Sequence, residues 1–228
     1  MNILISGATR GIGKAIAEKL ASKNHKLHLI ARNISDLESL KAKLDNETVQ
    51  HKTFSFDLSD IDTVNKELIE LIEVDQIDVI VNNLGIFETN PADQIEIEAL
   101  KKLMDLNLYS AINLTNLFIS QLKKKEQGTI INIGSVMSHL AAPFAANYSI
   151  TKHAFKGWND SLREELRQSG IKVCAILPGA VNTSSWDGIE VNRDSMIQPE
   201  DIAELVETVL SMNYNTMVDE IKVSPLKF

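Results

Sequence analysis

Tyr148 and Lys152 stand four residues apart in Tyr148-Ser149-Ile150-Thr151-Lys152, at the start of an amphipathic helical pattern. That spacing puts both side chains on one face of a helix. A free phenol titrates near about 10, too high for easy proton exchange at neutral pH. A neighbouring ammonium favours the tyrosinate and lowers that value. Tyr148 is therefore expected to act as a general acid toward a carbonyl oxygen, or a general base toward an alcohol. Taken alone, the same pattern is also that of an ordinary surface pair. Ser135 adds a third group. It closes the apolar run Ile130-Ile131-Asn132-Ile133-Gly134, at the carboxyl edge where open α/β sheets bind ligands.

A different chemistry is written near the N-terminus. Ser6-Gly7-Ala8-Thr9-Arg10-Gly11-Ile12-Gly13 joins an apolar strand to a helical pattern. Glycines permit positive φ and close backbone approach. A helix start offers free N–H groups and a positive dipole end to a pyrophosphate. The spacing is G-x-x-x-G-x-G, which differs from the G-x-G-x-x-G fingerprint. The second strand ends Leu29-Ile30-Ala31-Arg32-Asn33, where an acid would bind the ribose 2′-hydroxyl of NAD. Ala31 and Arg32 stand there instead. Arg32, with Arg10 as a second cation, can pair with a 2′-phosphate. NADP(H) is thus expected over NAD(H), the alternative being that both arginines are plain surface residues.

These groups must be held by strands and helices. Apolar runs at Asn2–Ser6, Lys26–Ala31, Val49–Phe56, Ile77–Asn82, Thr129–Gly134, Ile171–Leu177 and Thr216–Val223 predict about seven strands. Consecutive apolar positions suit strands buried on both faces of a parallel sheet. Helical stripes recur at Ile12, Ile16 and Leu20. Others run through Ile61, Val64, Leu68, Leu71 and Ile72, entered through Ser59 or Asp60, and through Phe155, Trp158, Leu162 and Leu166. Pro199-Glu200-Asp201 opens a further helix, with residue types that a helix start favours. Strand–helix alternation predicts an α/β fold, a doubly wound parallel sheet of Rossmann type with helices on both faces. No repeat or long linker divides the 228 residues, so one domain is expected to carry both cofactor and substrate groups.

Composition narrows the function classes. The 23 Lys+Arg against 31 Asp+Glu give a formal net charge of −8, unfavourable for binding nucleic acid through its phosphates. Lys123-Lys124-Lys125, the one basic cluster, reads as a solvated helix end. No long apolar run predicts a membrane span, and the N-terminus lacks the pattern of a signal peptide. A single cysteine, Cys174, excludes an internal disulfide; a reducing cytoplasm is the expected compartment. His25, His28, His51 and His153 have no zinc-like spacing, so no metal site is expected.

Together, the glycine turn, Asn82-Asn83-Leu84-Gly85, Asn107, Ser135, Tyr148, Lys152 and Pro178-Gly179 resemble the short-chain dehydrogenase/reductase family in order and spacing, over nearly the whole chain. The resemblance implies that Tyr148 exchanges the substrate proton and Ser135 hydrogen-bonds the substrate oxygen. Lys152 would hold the nicotinamide ribose, and Asn107 a water of the proton relay. It implies cofactor contacts at Gly7, Thr9, Arg10, Gly11, Ile12 and Gly13, then at Arg32 and Asn33, and at Asp57 and Leu58 by the adenine. Asn83 and Gly85 would follow, with Pro178, Gly179, Val181 and Thr183 bordering the nicotinamide. Asn82 and Asn83 have the alternative of simply tying strands together. Ser6 and Leu84 depart from the family's usual threonine and alanine, and Leu84 is expected to displace the nearby backbone slightly. The segment from Thr183 to Pro199 is short for the family, so an open site is expected. Trp186, Met137, His139 and Leu140 are candidate pocket residues.

The expected activity is hydride transfer between NADP(H) and a small carbonyl or alcohol substrate. The alternatives are a non-catalytic NADP(H)-binding regulator and, on a related fold, a sugar-nucleotide epimerase or dehydratase. Ile95–Lys125 and Asn147–Ser169 resemble the helices that pair between family subunits, so a homodimer or homotetramer is expected.

Overall fold

The structure, a computed structural model, describes residues 1–227. Its centre is a sheet of β1 (Asn2–Ser6), β2 (Lys26–Ala31), β3 (Lys52–Ser55), β4 (Val79–Asn82), β5 (Gly128–Ile133), β6 (Ile171–Pro178) and β7 (Glu220–Val223). The strand order is β3-β2-β1-β4-β5-β6-β7, and every pairing is parallel. The order reverses between β1 and β4, the place where such sheets open a crevice for ligands.

The helices are α1 (Gly11–Ala21), α2 (Ile34–Leu44), α3 (Ile61–Val74), α4 (Ile97–Met104), α5 (Ser110–Lys125), α6 (Ala146–Arg167) and α7 (Pro199–Ser211). A π-helical turn, Asp105–Tyr109, joins α4 to α5. Alternate strand residues feed opposite layers. Ile3 and Ile5 of β1 pack with Ile16 and Leu20 of α1 and Ile202 and Val206 of α7. Leu4 points the other way, into a cluster with Leu68 of α3, Phe118 of α5 and Leu162 of α6. Helices thus cover both faces, as the buried strand pattern predicts.

Local chemistry sets the ends. Asp60 caps α3, its carboxylate accepting from Thr63 N at 3.1 Å. Pro199 opens α7 beneath a capping box of Gln198 and Asp201. Three strands start later than the apolar runs predict. Thr48 and Val49 donate their N–H groups to Asn46 Oδ1, and His51 N donates to Asp45, so β3 begins at Lys52. Ile77 N is taken by Gln121 Oε1, and β4 begins at Val79. Thr216 N turns back to Asn213 O, and β7 begins at Glu220. Helix α2 has no counterpart among the helical stripes above, because only Leu37 and Leu40 of its residues are buried. Lys123–Lys125 end α5, where Lys123 pairs with Glu165 and Lys125 with Asp78.

Candidate active site

The first strand delivers its glycine turn at the reversal of strand order. Gly7 has φ +63°, and a Cβ on Gly13 would lie 2.1 Å from Gly7 O. No side chain fits at Gly13, so α1 starts hard against the end of β1. No side chain caps α1, and its first turn carries no acid. Its N–H groups therefore remain for an anion. Ser6 Oγ locks the turn to β4, accepting from Asn83 N at 3.0 Å and Leu84 N at 3.3 Å. Asn83 Nδ2 donates to Ser6 O and Gly7 O, 3.2 Å each. Asn83 therefore ties the two strand ends and also lines the cleft.

That cleft has a volume of about 350 Å³. Its walls include Gly7, Thr9, Arg10, Gly11, Ile12, Arg32, Asn33, Asp57, Leu58, Asn83, Gly85 and Thr183. Arg32 Nη1 lies 3.9 Å from Asp57 Oδ2, both side chains well exposed. Gly13 stands behind the wall. The uncapped helix start, the glycine cradle and the two cations that line the cleft, Arg10 and Arg32, fit a dinucleotide phosphate. Asp36, Phe56, Ile86, Leu106, Ser184 and Ser185 also line the cleft without being picked out by sequence motif. Leu84 lines it too, held by Ser6 Oγ and packed on the core.

A smaller pocket of about 140 Å³ continues from it, sharing Ile12, Asn83, Gly85 and Thr183. Ser135, Tyr148, Lys152, Pro178, Gly179 and Val181 line this pocket. Ser135 follows β5 directly and holds the next turn by accepting from Met137 N at 3.1 Å. Tyr148 and Lys152 come from the first turns of α6. Lys152 is buried, its Nζ 5.6 Å from the Tyr148 ring centre and 5.2 Å from that of Phe155. A Cβ on Gly85 would lie 3.2 Å from that Nζ, so the bare glycine gives the ammonium its place.

The electrostatics correct one expectation. Burial pushes the Tyr148 phenol above its ordinary value, and a hydrogen bond with Ser135 opposes this. In the free protein the phenol therefore lies above, not below, its ordinary value. Its own burial brings Lys152 to about 8, because no acid faces it to keep the ammonium charged.

Asn107 is fully buried in the π-helical turn. Its Oδ1 accepts from Ile86 N at 2.8 Å, and its Nδ2 donates to Ile86 O at 2.9 Å and Thr151 Oγ1 at 3.2 Å. It binds the loop after β4 to α6 and does not line the pocket. Such turns often occur at functional sites.

Of the four candidate pocket residues, Trp186 lines the pocket. The other three do not. His139 Nε2 lies 2.8 Å from Glu220 Oε1 on β7. Leu140 is exposed, and Met137 Sδ is 4.0 Å from Ser149 Oγ. Phe87, which carries no motif signal, does line it. Cys174 is buried inside β6, its thiol pushed up to about 12 by burial, which makes it an inert packing group.

The family model for short chain dehydrogenase matches residues 1–194. The chain belongs to the short-chain dehydrogenase family. The enzyme class is therefore NAD(P)-dependent dehydrogenase/reductase. A mouse protein, dehydrogenase/reductase SDR family member 7B, is 30% identical over 80% of this chain, and the match spans 58% of the mouse protein's length. A diacetyl reductase, (S)-acetoin forming, of Staphylococcus epidermidis is 31% identical over 89% of this chain and 78% of its own. Among solved structures, an alcohol dehydrogenase of the archaeon Thermococcus sibiricus complexed with 5-hydroxy-NADP superposes with TM-score 0.90. It is 25% identical and covers 99% of this chain and 96% of its own. Structures of this fold hold NADP in some cases and NAD in others. Among the described residues no helix is long and apolar enough to cross a membrane.

Proposed function

We propose that this short-chain dehydrogenase is an NADP(H)-dependent carbonyl reductase or alcohol dehydrogenase with Tyr148 as its general acid/base. The observation that carries this reading is one pocket lined by Ser135, Tyr148 and Lys152 and opening into the dinucleotide cleft. Bound nicotinamide supplies the hydride for reduction, or accepts it for oxidation. In reduction the substrate C=O becomes CH–OH: the carbon receives the hydride and the oxygen the Tyr148 proton. Ser135 Oγ donates to the same oxygen. Lys152 Nζ would hold the ribose hydroxyls of the bound cofactor and would stabilise the tyrosinate once the proton has left. Both Asn107 side-chain donors are taken, so a relay water there would be held by carbonyl oxygen.

NADP(H) over NAD(H) is part of the proposal, supported by Arg10 and Arg32 beside the cleft and by Ala31 in place of an acid. The similarity to a diacetyl reductase favours a small carbonyl substrate. One domain would carry the whole reaction, in the cytoplasm, where the lone buried thiol needs no partner. A homodimer or homotetramer would cover the exposed Ile97, Tyr109 and Ile150 of α4–α6; light scattering showing only monomers overturns that part. NADPH oxidation against a panel of small ketones and aldehydes tests the activity. Tight NADPH binding without turnover on any of them would favour the non-catalytic regulator.

A further inference from the structure

Three aromatic rings meet through Phe87 at the small pocket. Phe87 meets Tyr148 edge-on, with ring centres 5.1 Å apart and planes at 81°. Phe87 also lies against Trp186, with ring centres 5.7 Å apart and planes tilted by 30°. Phe87 comes from the loop after β4. Trp186 comes from a short 3-10 turn, Ser184–Trp186, capped by Thr183 Oγ1. That turn is fastened from outside the pocket. Arg193 donates to Thr183 O at 3.0 Å, to Asn182 Oδ1 at 3.2 Å and to Asp187 Oδ1 at 2.8 Å. The reacting phenol is therefore flanked by a wall of two further rings, and the segment bearing the outer ring is tied down.

The charge of the pocket is equally specific. Among the described residues its lining contains no Arg, His, Asp or Glu, and its one cation is Lys152. Lys152 is almost wholly buried beneath Gly85 and is committed to the ribose on the reading above. The chain between the Ser135 and Tyr148 hydroxyls, residues 136–147, holds no acid, lysine or arginine, and exposes Leu140 and Phe144. A substrate carboxylate or phosphate entering here would lose water and, besides the committed Lys152, meet only neutral hydroxyl and amide groups. A planar apolar substituent would gain ring contacts.

We infer that Phe87 and Trp186 are specificity-determining residues that select uncharged carbonyl compounds with a planar or aryl substituent, and that anionic keto acids and phosphorylated carbonyls are rejected. This rests on the pocket of the proposed function being the substrate site.

The test uses two near-isosteric ketones, 4-methylacetophenone and 4-carboxyacetophenone, with butanone as a small alkyl control. The neutral aryl ketone is expected to exceed its carboxylate analogue in kcat/KM by about 100-fold or more, since the charge is left unpaired. Phe87→Leu and Trp186→Ala are expected to raise KM for the aryl ketone about 3–10-fold, the worth of a ring contact. The KM for butanone should rise less than that for the aryl ketone, and NADPH affinity, followed by fluorescence, should stay near wild type. Equal use of the carboxylate, or equal losses for aryl ketone and butanone, overturns the inference. Calorimetric titration of the same pair into NADP-loaded protein reads the pocket without turnover. Selective binding of the neutral ketone with no reduction would support the pocket and defeat the catalytic reading; equal or inverted binding would defeat the inference.

Discussion

Asn159 Oδ1 accepts a hydrogen bond from Asn132 Nδ2 at 2.8 Å, with both residues fully buried. Asn132 lies on β5, three residues before Ser135, and Asn159 lies on α6, seven after Lys152. Asn82 Nδ2 continues the chain to Asn132 Oδ1 at 2.8 Å and to Thr115 Oγ1 at 3.0 Å. Two elements that carry reacting groups are thus joined by an amide bridge inside the core. Asn159→Ala removes the acceptor and leaves Asn132 Nδ2 dry. A loss of about 1–3 kcal/mol is expected, the range for an orphaned buried donor. Urea unfolding measures it, and an unchanged midpoint would mean that water replaces the amide.

Tyr148→Phe removes one hydroxyl and should leave the fold and NADPH binding intact. Turnover should fall about 10²–10⁴-fold, the usual worth of positioned acid–base catalysis. Lys152→Ala should slow turnover and also weaken NADPH binding. Steady-state kinetics with a fluorescence titration separates the two variants. A Tyr148→Phe enzyme with wild-type turnover ends the proposed mechanism.

Arg32 stands beside the cleft at the end of β2 and within 3.9 Å of Asp57. Arg32→Ala should weaken NADPH binding by about 1.5–3 kcal/mol, as for a lost hydrogen bond to a charged group, and affect NADH less. Equal losses for the two cofactors, measured side by side, count against a 2′-phosphate site.

His28, fully buried on β2, has neither ring nitrogen partnered in the structure. Burial lowers its pKa from 6.5 to about 4. The unfolded chain therefore binds the proton more readily, and stability falls as pH drops from about 6.5 to about 4. The full effect is about 3 kcal/mol. Asp75, held near 2 by Lys52 and Lys26, titrates below this window. Burial also lowers His51, so His28 is isolated by comparison with His28→Leu. That variant should show a shallower acid slope between urea midpoints at pH 4.5 and 7.5, the remainder belonging to His51 and to His25, which burial also lowers. A slope equal to wild type would show that His28 is protonated without cost.

The parallel sheet, the glycine turn and the Tyr148/Lys152 pair were legible along the chain because each is local. Apolar runs report burial on both strand faces, and a four-residue spacing sets two side chains on one helix face whatever surrounds them. What came only with the tertiary structure depends on elements distant in sequence. Phe87 meets Trp186 across 99 residues because β4 and β6 both end at the same sheet edge. Asn132 meets Asn159 because α6 packs on β5 from one side. His139 turns to Glu220 because β7 lies beyond β6. The direction of the Tyr148 pKa was the sharpest difference, since spacing reports which charge is near but not how much water the fold excludes. That desolvation is a property of the enclosed volume, and it is the largest influence on both Tyr148 and Lys152.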